Sequence, residues 1–491
     1  MASISTNHLK DPILYHGEPA SRDDDCACAD YIASTDHLES ENDCACASAV
    51  PSVASIPAGT LYRREPGLYT APLAGEYHLA LGPASPTGPV VLNAAAWQRL
   101  AAFEHPRLLE TAVEQEMAHT GLLTPFLATP VPTPRPQQLT AWLHVTNACN
   151  LDCPYCYVQK SCEAMSLETG RQALAGIFAT AQKRGFRQVK LKYAGGEPTL
   201  HFSLVHSLHT IAMQLSRATG IVVHEVILSN GTLIRPAGAD WLRQSGVRLM
   251  VSLDGIGTDH DCTRSTCAGK GTFSRVEHTI DQVLLPRGIQ PTISITVTGL
   301  NAGGIAGAVR WSLDRRLPVS INFYRRPHDT TAPQSLALEE ERILQGMADA
   351  YHTIEAHLHE QPMLNGLLDR FHVGAHQVTC GVGQAYVVID QRGRLAPCHM
   401  LLSAGKEIDP AGGDLVEQAA SALVHNLPVD EKTSCRSCRF RYYCTGGCPL
   451  ETYHATGRWD APSPNCRIYQ KLIPLALRLE GLRLLKSNGI L

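Results

Sequence analysis

The stretch TNACNLDCPYCYVQ, Thr146 to Gln159, places three cysteines, Cys149, Cys153 and Cys156, on one short loop with no fourth ligand of the same kind beside them. It follows an apolar, β-prone run, TAWLHVT (140–146). Five similar runs come after it: VKLKYAGG (189–196), VVHEVILSN (222–230), VRLMVSLDG (247–255), TISITVTG (292–299) and PVSINFYRR (318–326). Helical patterns separate them. Alternation of this kind predicts an α/β fold of six βα units, a parallel sheet closed or partly closed into a barrel over residues 140–365. In such a sheet chemistry belongs at the C-terminal ends of the strands. The unusual residues fall there: the cysteine loop after the first strand, GGEPT (195–199) after the second, SNGT (229–232) after the third and SLDG (252–255) around the end of the fourth.

The chain has 491 residues, too many for one core, with 44% hydrophobic and 18% charged residues, an ordinary globular composition. Its formal net charge of -4 lacks the basic surplus of a nucleic-acid partner. No apolar run approaches the roughly 20 residues of a membrane span. The opening MASISTNHLKDPILYHGEPA has no apolar core of a secretory signal, so a cytoplasmic protein with no membrane partner is expected. Seventeen cysteines are dense for a reducing compartment, where they argue for metal or catalytic sulfur rather than disulfides. The 22 histidines show no HExxH-like spacing and are assigned to no metal.

A structural zinc site takes four ligands, and Cys162 is set apart from the three on the loop, so zinc would have to borrow a distant ligand. Iron–sulfur cubanes are usually held by four thiolates, and one held by three keeps an iron open. The spacing Cys149-x-x-x-Cys153-x-x-Cys156, with Tyr155 before the last cysteine, resembles the signature of the radical S-adenosylmethionine (radical SAM) enzymes. The resemblance implies a 4Fe-4S cluster whose open iron chelates the amino and carboxylate groups of S-adenosylmethionine. Reductive cleavage of that cofactor then yields a 5′-deoxyadenosyl radical that abstracts hydrogen. Gly195, Gly196, Glu197 and Pro198 resemble the segment holding the methionine amino group. Glu197 is suited to accept from an ammonium, and the two glycines to permit close backbone approach. Ser229 and Asn230 fit the ribose-contacting position, Ser252 and Asp254 further cofactor or substrate contacts, and Arg264 an arginine near the active site. No catalytic side chain is assigned beyond the cluster and the cofactor.

Seven more cysteines follow residue 379, four of them in CRSCRFRYYCTGGC (435–448). A zinc ribbon explains four and leaves three over. The spacing resembles the SPASM extension of radical SAM enzymes (residues 366–491), which carries two auxiliary 4Fe-4S clusters. By that resemblance Cys435, Cys438, Cys444 and Cys466 hold one, and Cys380, Cys398 and Cys448 hold the other. Some relatives add a cysteine soon after the first of these. Here none lies between Cys380 and Cys398, which leaves either an open iron or a non-cysteine ligand. His399 stands where sulfatase-maturing relatives carry a catalytic aspartate, which counts against formylglycine formation.

The 1–58 extension is polar, contains the near repeat DCACADY (25–31) and DCACASA (43–49), and is expected to have little fixed structure. Its thiols suit metal binding, a substrate-like or leader-like segment, or no role at all. Residues 59–128 read as a winged-helix-like module, either a peptide-recognition domain that adds a strand to a sheet edge or a packing cap. A proline-rich linker (129–139) follows. Cys162, Cys262 and Cys267 read as small core residues or loop thiols, with a substrate-facing role open to the last two. The leading expectation is a maturase of a ribosomally made peptide precursor, forming a thioether or another side-chain cross-link. Electrons would come from flavodoxin or ferredoxin. Epimerisation, carbon–carbon cross-linking, small-molecule oxidation and a non-catalytic zinc or iron–sulfur peptide-binding scaffold are the alternatives.

Overall fold

Along Gln138–Thr146 the residues Leu139, Ala141, Leu143 and Val145 point to one buried side, and Trp142 and His144 to the other. A strand buried on both faces belongs inside a parallel sheet covered by helices, and the computed structural model has that form. It describes residues 11–17, 59–83, 85–127, 136–326, 333–359, 364–371, 375–409, 413–420 and 423–491. In chain order the strands are β1 (Leu14–His16), β2 (Tyr62–Arg64), β3 (Tyr69–Pro72), β4 (His78–Leu81), β5 (Val90–Leu92) and β6 (Leu123–Pro125). There follow β7 (Gln138–Thr146), β8 (Gln188–Gly195), β9 (Val222–Ser229), β10 (Arg248–Ser252), β11 (Thr292–Val297), β12 (Val319–Phe323), β13 (Tyr386–Ile389) and β14 (Leu395–Ala396).

β7 to β12 are mutually parallel and neighbour one another in chain order, so each expected strand is present. Their intervening helices, among them Leu167–Arg184, Phe202–Thr219, Pro236–Ser245 and Ile305–Asp314, share one apolar core with one face of the sheet. The helix Leu167–Arg184 shows why these segments stop where they do. Ser166 caps its first turn by accepting from the Thr169 amide at 3.0 Å, and Gly185 leaves it at φ +73°. The opposite, concave face carries Lys190 and Lys192 on β8, Met250 and Ser252 on β10, and Ser294 on β11. Lys190 and Lys192 are fully buried.

The cysteine-rich region past residue 365 adds to the same sheet: β13 extends it, parallel to β7, and β14 follows it antiparallel. The apolar run Tyr386–Ile389 is buried on both faces beside β7. Within the extension expected to lack order, Leu14–His16 forms an edge strand on β5, in a sheet of order β1-β5-β4-β3. Leu14 joins the core of Leu92, Leu100 and Phe103, burial that offsets the entropy of ordering three residues. Both DCACA repeats lie outside the described residues. In the 59–127 region β2 to β5 precede the helices Ala94–Ala101 and Ala112–His119, and β6 follows them and pairs with β2.

The module leans on the cysteine-rich region. Tyr443 donates to the Gly82 carbonyl at 2.5 Å, and the ring of Tyr69 lies 5.2 Å from that of Phe440. The last helix, Cys466–Ser487, packs against it through Gly481, beside Leu79 and Leu73. Among the described residues no helix is long and apolar enough to cross a membrane. Phe178, 1% exposed in the main core, tests the joint packing of helix and sheet. Phe178→Ala is expected to destabilise the protein by about 3–5 kcal/mol, read as a lowered unfolding midpoint.

Candidate functional site

The cysteine loop leaves β7 at Thr146 and is pinned where it returns. Asn147 N donates to Glu163 O at 2.9 Å, Met165 N to Val145 O at 2.8 Å, and Thr146 bridges to Ala164. On its other side, Asp152 N donates to Ser265 O at 2.8 Å and Leu151 bridges to Thr266, so the segment after β10 braces it.

The GGEP segment supports the loop from below. Gly196 N donates to Thr146 O at 2.7 Å and Glu197 N to Ala148 O at 2.8 Å. Gly195 has φ +154°, and a Cβ there would lie 2.3 Å from Thr146 O. At Gly196 a Cβ would lie 2.3 Å from Ala148 O. The close approach that makes glycine necessary is thus to the chain's own loop. Pro198 opens a short 3₁₀ turn, Pro198–His201, and is buried.

The Glu197 carboxylate, fully buried, turns inward. Oε1 accepts from Thr199 N at 3.0 Å, Thr199 Oγ at 2.5 Å and Ser229 Oγ at 2.9 Å; Oε2 accepts from Asn230 N at 2.6 Å. Burial pushes its pKa up, against the pull of these donors. The side chain ties the end of β8 to the end of β9. Asn230 in turn donates to Asn150 Oδ1 at 2.9 Å, with its Nδ2 3.9 Å from Cys149 Sγ.

Asp254 organises the far side. Its Oδ2 accepts from Tyr155 OH at 2.5 Å, Arg264 Nε at 2.7 Å and Thr263 Oγ at 3.3 Å, and Oδ1 accepts from Thr296 N at 2.8 Å. The Arg264 guanidinium lies 5.4 Å over the Tyr155 ring and is a charge partner of Cys153. Tyr155, Asp254 and Arg264 are therefore one buried unit under the loop. Ser252 is half-buried on β10, in register with Ser294.

Several of the thiols lie close enough to act on one another electrostatically. Cys149 and Cys153 act on each other and on Cys156, Cys398 on Cys448 and Cys380, and Cys444 on Cys438, Cys435 and Cys466. Burial pushes the thiols of Cys153, Cys398 and Cys444 up to about 12 and that of Cys435 up to about 11. A metal held by these thiols would have to displace their protons. Among the described residues no three His, Cys, Asp or Glu side chains converge to hold a single ion. Thiolates on separate corners of an iron–sulfur cluster need no such convergence. Cys162, Cys262 and Cys267 are exposed, which removes the reading of them as core residues.

Residues 143–301 match the radical SAM superfamily. The chain carries a radical SAM domain. This radical SAM enzyme is related to maturases that modify peptides or proteins. It is 25% identical over 368 residues to the AdoMet-dependent heme synthase of Oleidesulfovibrio alaskensis, covering 70% of this chain and 90% of that one. It is 25% identical to the serine-type anaerobic sulfatase-maturating enzyme of Klebsiella aerogenes (62% and 77% covered). To the antilisterial bacteriocin subtilosin biosynthesis protein AlbA of Bacillus subtilis it is 24% identical (64% and 68%). The solved structure of native anSMEcpe with bound AdoMet shares the fold, with TM-score 0.57 and 18% identity over 72% of this chain and 100% of that one.

Sequence reasoning missed the contact between the inner loop and the outer cysteines. His399 stacks on Trp142 of β7 with centroids 4.7 Å apart, meets Tyr386 OH at 2.9 Å, and lies edge-on to Tyr157 at 5.7 Å. Tyr157 follows Cys156 and His399 follows Cys398 in the chain, so rings next to two different thiol sets meet beside Trp142 of β7. The only signal in the sequence was the histidine standing in an aspartate's place.

Gly196→Ala is expected to cost about 1–3 kcal/mol by pushing the cysteine loop away. It should also lower the bound iron by about four atoms per chain. Thermal unfolding and iron analysis of anaerobically purified protein check both. A second prediction concerns His260, whose Nδ1 accepts from Asp254 N at 3.2 Å while Nε2 meets Thr272 Oγ at 3.1 Å. Burial lowers its pKa to about 4. Between about pH 6.5 and that value the unfolded chain binds a proton that the folded one refuses. Stability should therefore fall on acidification through this window, by roughly 3 kcal/mol at most. In His260→Gln the slope of unfolding midpoint against pH should flatten.

Proposed function

We propose that the chain is a radical SAM maturase of a ribosomally synthesised peptide, closing a thioether or another side-chain cross-link. The observation that carries this reading is the contact of Tyr157, next to Cys156, with His399, next to Cys398, beside Trp142 of β7. There a bound side chain would meet both the radical and the outer thiol set. The relatives add support: AlbA is named for subtilosin biosynthesis, and a structure of anSMEcpe holds AdoMet together with the Cp18Cys peptide.

In this reading Cys149, Cys153 and Cys156 hold a 4Fe-4S cluster. Cys435, Cys438, Cys444 and Cys466 hold an auxiliary one, and Cys380, Cys398 and Cys448 hold a second with a corner open to a substrate thiolate. With S-adenosylmethionine bound, the first supplies a 5′-deoxyadenosyl radical for hydrogen abstraction. The Gly195–Pro198, Ser229–Asn230 and Ser252–Asp254 segments line the cofactor. Since the Glu197 side chain is held by Ser229, Asn230 and Thr199, the cofactor contact there falls to the backbone of Gly195 and Gly196. Trp142, Tyr157 and Tyr386 wall the space and exclude water. Closing a carbon–sulfur bond from a thiol and a C–H group releases two hydrogens. One leaves as an atom to the radical; the other leaves as a proton to solvent and an electron to the outer set. Flavodoxin or ferredoxin returns reducing equivalents in the cytoplasm. The winged-helix-like 59–128 module recognises the precursor.

Anaerobic co-expression with a short cysteine-bearing precursor, such as one encoded beside this gene, tests the proposal by mass spectrometry. A loss of two hydrogens per modification is expected, with Cys398→Ala abolishing the product while 5′-deoxyadenosine is still released. Unchanged mass with an inverted stereocentre would make the enzyme an epimerase. Absence of 5′-deoxyadenosine from dithionite-reduced protein with its full iron would end the radical reading.

A further inference from the structure

The segment Asp369–Arg370 lies between the barrel and the outer cysteines. The Asp369 carboxylate, 3% exposed, is fully engaged: Arg325 Nη2 donates to its two oxygens at 2.6 and 2.7 Å, and Tyr469 OH donates at 2.9 Å. Among the described residues Arg370 has no such partner. It is 5% exposed, and its Nε and Nη1 are buried without a hydrogen bond. Glu451, the other carboxylate within its field, accepts instead from Asn465 at 3.1 Å. The Arg370 backbone stands at φ +59°, a left-handed conformation that costs a side-chain-bearing residue of order 1–3 kcal/mol.

A strained backbone that buries a cation with idle donors calls for an anion the protein chain does not supply. The surroundings say which. The groups whose charge acts most on Arg370 are Cys448, Cys380, Tyr469 and Cys398, which include every member of one thiol set and none of the other two. A second buried cation, Lys432, 1% exposed, donates from Nζ to Thr445 O at 2.7 Å and is acted on first by Cys435 and Cys444 of the four-cysteine set, ahead of Cys380 and Cys448.

We propose that Arg370 is the cationic partner of the cluster held by Cys380, Cys398 and Cys448, its Nε–H and Nη1–H donating to that cluster's sulfur atoms and raising its reduction potential. The inference rests on the reading of the outer thiols as cluster ligands. Its physics is general: reduction adds negative charge to the cluster, and a fixed buried guanidinium with donors aimed at sulfur stabilises the reduced form more than the oxidised one. A set with three thiolates also carries one negative charge fewer than a set with four. Both effects act in one direction and make this cluster the natural acceptor of the electron left when the cross-link closes. Arg370 is a positioning and tuning residue, with no contact to substrate required of it.

The test uses the full chain, reconstituted anaerobically, and two measurements. In the first, wild type, Arg370→Lys and Arg370→Gln are taken through a redox titration followed by electron paramagnetic resonance, with iron counted in each. Wild type should hold about twelve irons per chain. In Arg370→Gln one outer midpoint should move to a more negative potential while the other two stay, with Arg370→Lys recovering most of the shift. Selective loss of about four of the twelve irons from Arg370→Gln would equally support the pairing. Unchanged iron and unchanged midpoints would overturn it.

The second measurement needs no variant and decides the matter if Arg370→Gln fails to fold. Wild type grown on nitrogen-15 arginine should show a nitrogen coupling to one reduced outer cluster by electron–nuclear double resonance. Twelve irons without that coupling overturn the role of Arg370 alone. A wild type holding only about four irons overturns the outer clusters themselves, and this proposal with them.

Discussion

The site depends on a contact between two stretches of backbone. The end of β8 lies so close against the start of the cysteine loop that the Gly196 and Glu197 amides donate to the carbonyls of Thr146 and Ala148. Any side chain at positions 195 or 196 would push them apart. A loop carrying three thiols is otherwise free to take many shapes, and fixing each residue costs of order 1–2 kcal/mol in entropy. Two flush glycines, a return pinned at Val145 and Glu163, and a brace at Ser265 and Thr266 reduce it to one.

Buried charge is distributed around the thiols with a consistent logic. Each set has a cation close enough to act on it electrostatically: Arg264 on Cys153, Arg370 on the set of Cys398, and Lys432 on the set of Cys435. These cations differ in what else they do. Arg264 is satisfied by Asp254, and Lys432 by the Thr445 carbonyl, whereas Arg370 keeps two donors idle. Low-dielectric surroundings make such placements count, since a pair interacts several times more strongly there than in water.

The cysteine-rich region is built into the barrel through β13 on the edge of β7, and through His399 between Trp142, Tyr386 and Tyr157. Its other side holds the N-terminal module through Tyr443, Phe440 and Gly481. One region therefore bridges the radical site and the module expected to meet a precursor.

The sequence by itself determined the six parallel strands, because each run is rich in β-branched and apolar residues and helical patterns separate one run from the next. It also gave the cysteines a spacing that resembles a family pattern, from which the proposed grouping is drawn. It did not determine the partners of side chains remote in the chain. Glu197 was expected to face an ammonium, and instead its carboxylate is taken by donors from Thr199, Ser229 and Asn230. Nothing around Asp369 and Arg370 revealed that the first would be neutralised by Arg325 and Tyr469 and the second left unpaired. Nor did the run Tyr386–Ile389 announce that it would join β7, 240 or so positions away by residue number. Local pattern fixes periodicity and turn chemistry, which act over a few residues. Pairings across hundreds of residues follow from which edges and charges the packed core leaves open, and that only the tertiary structure decides.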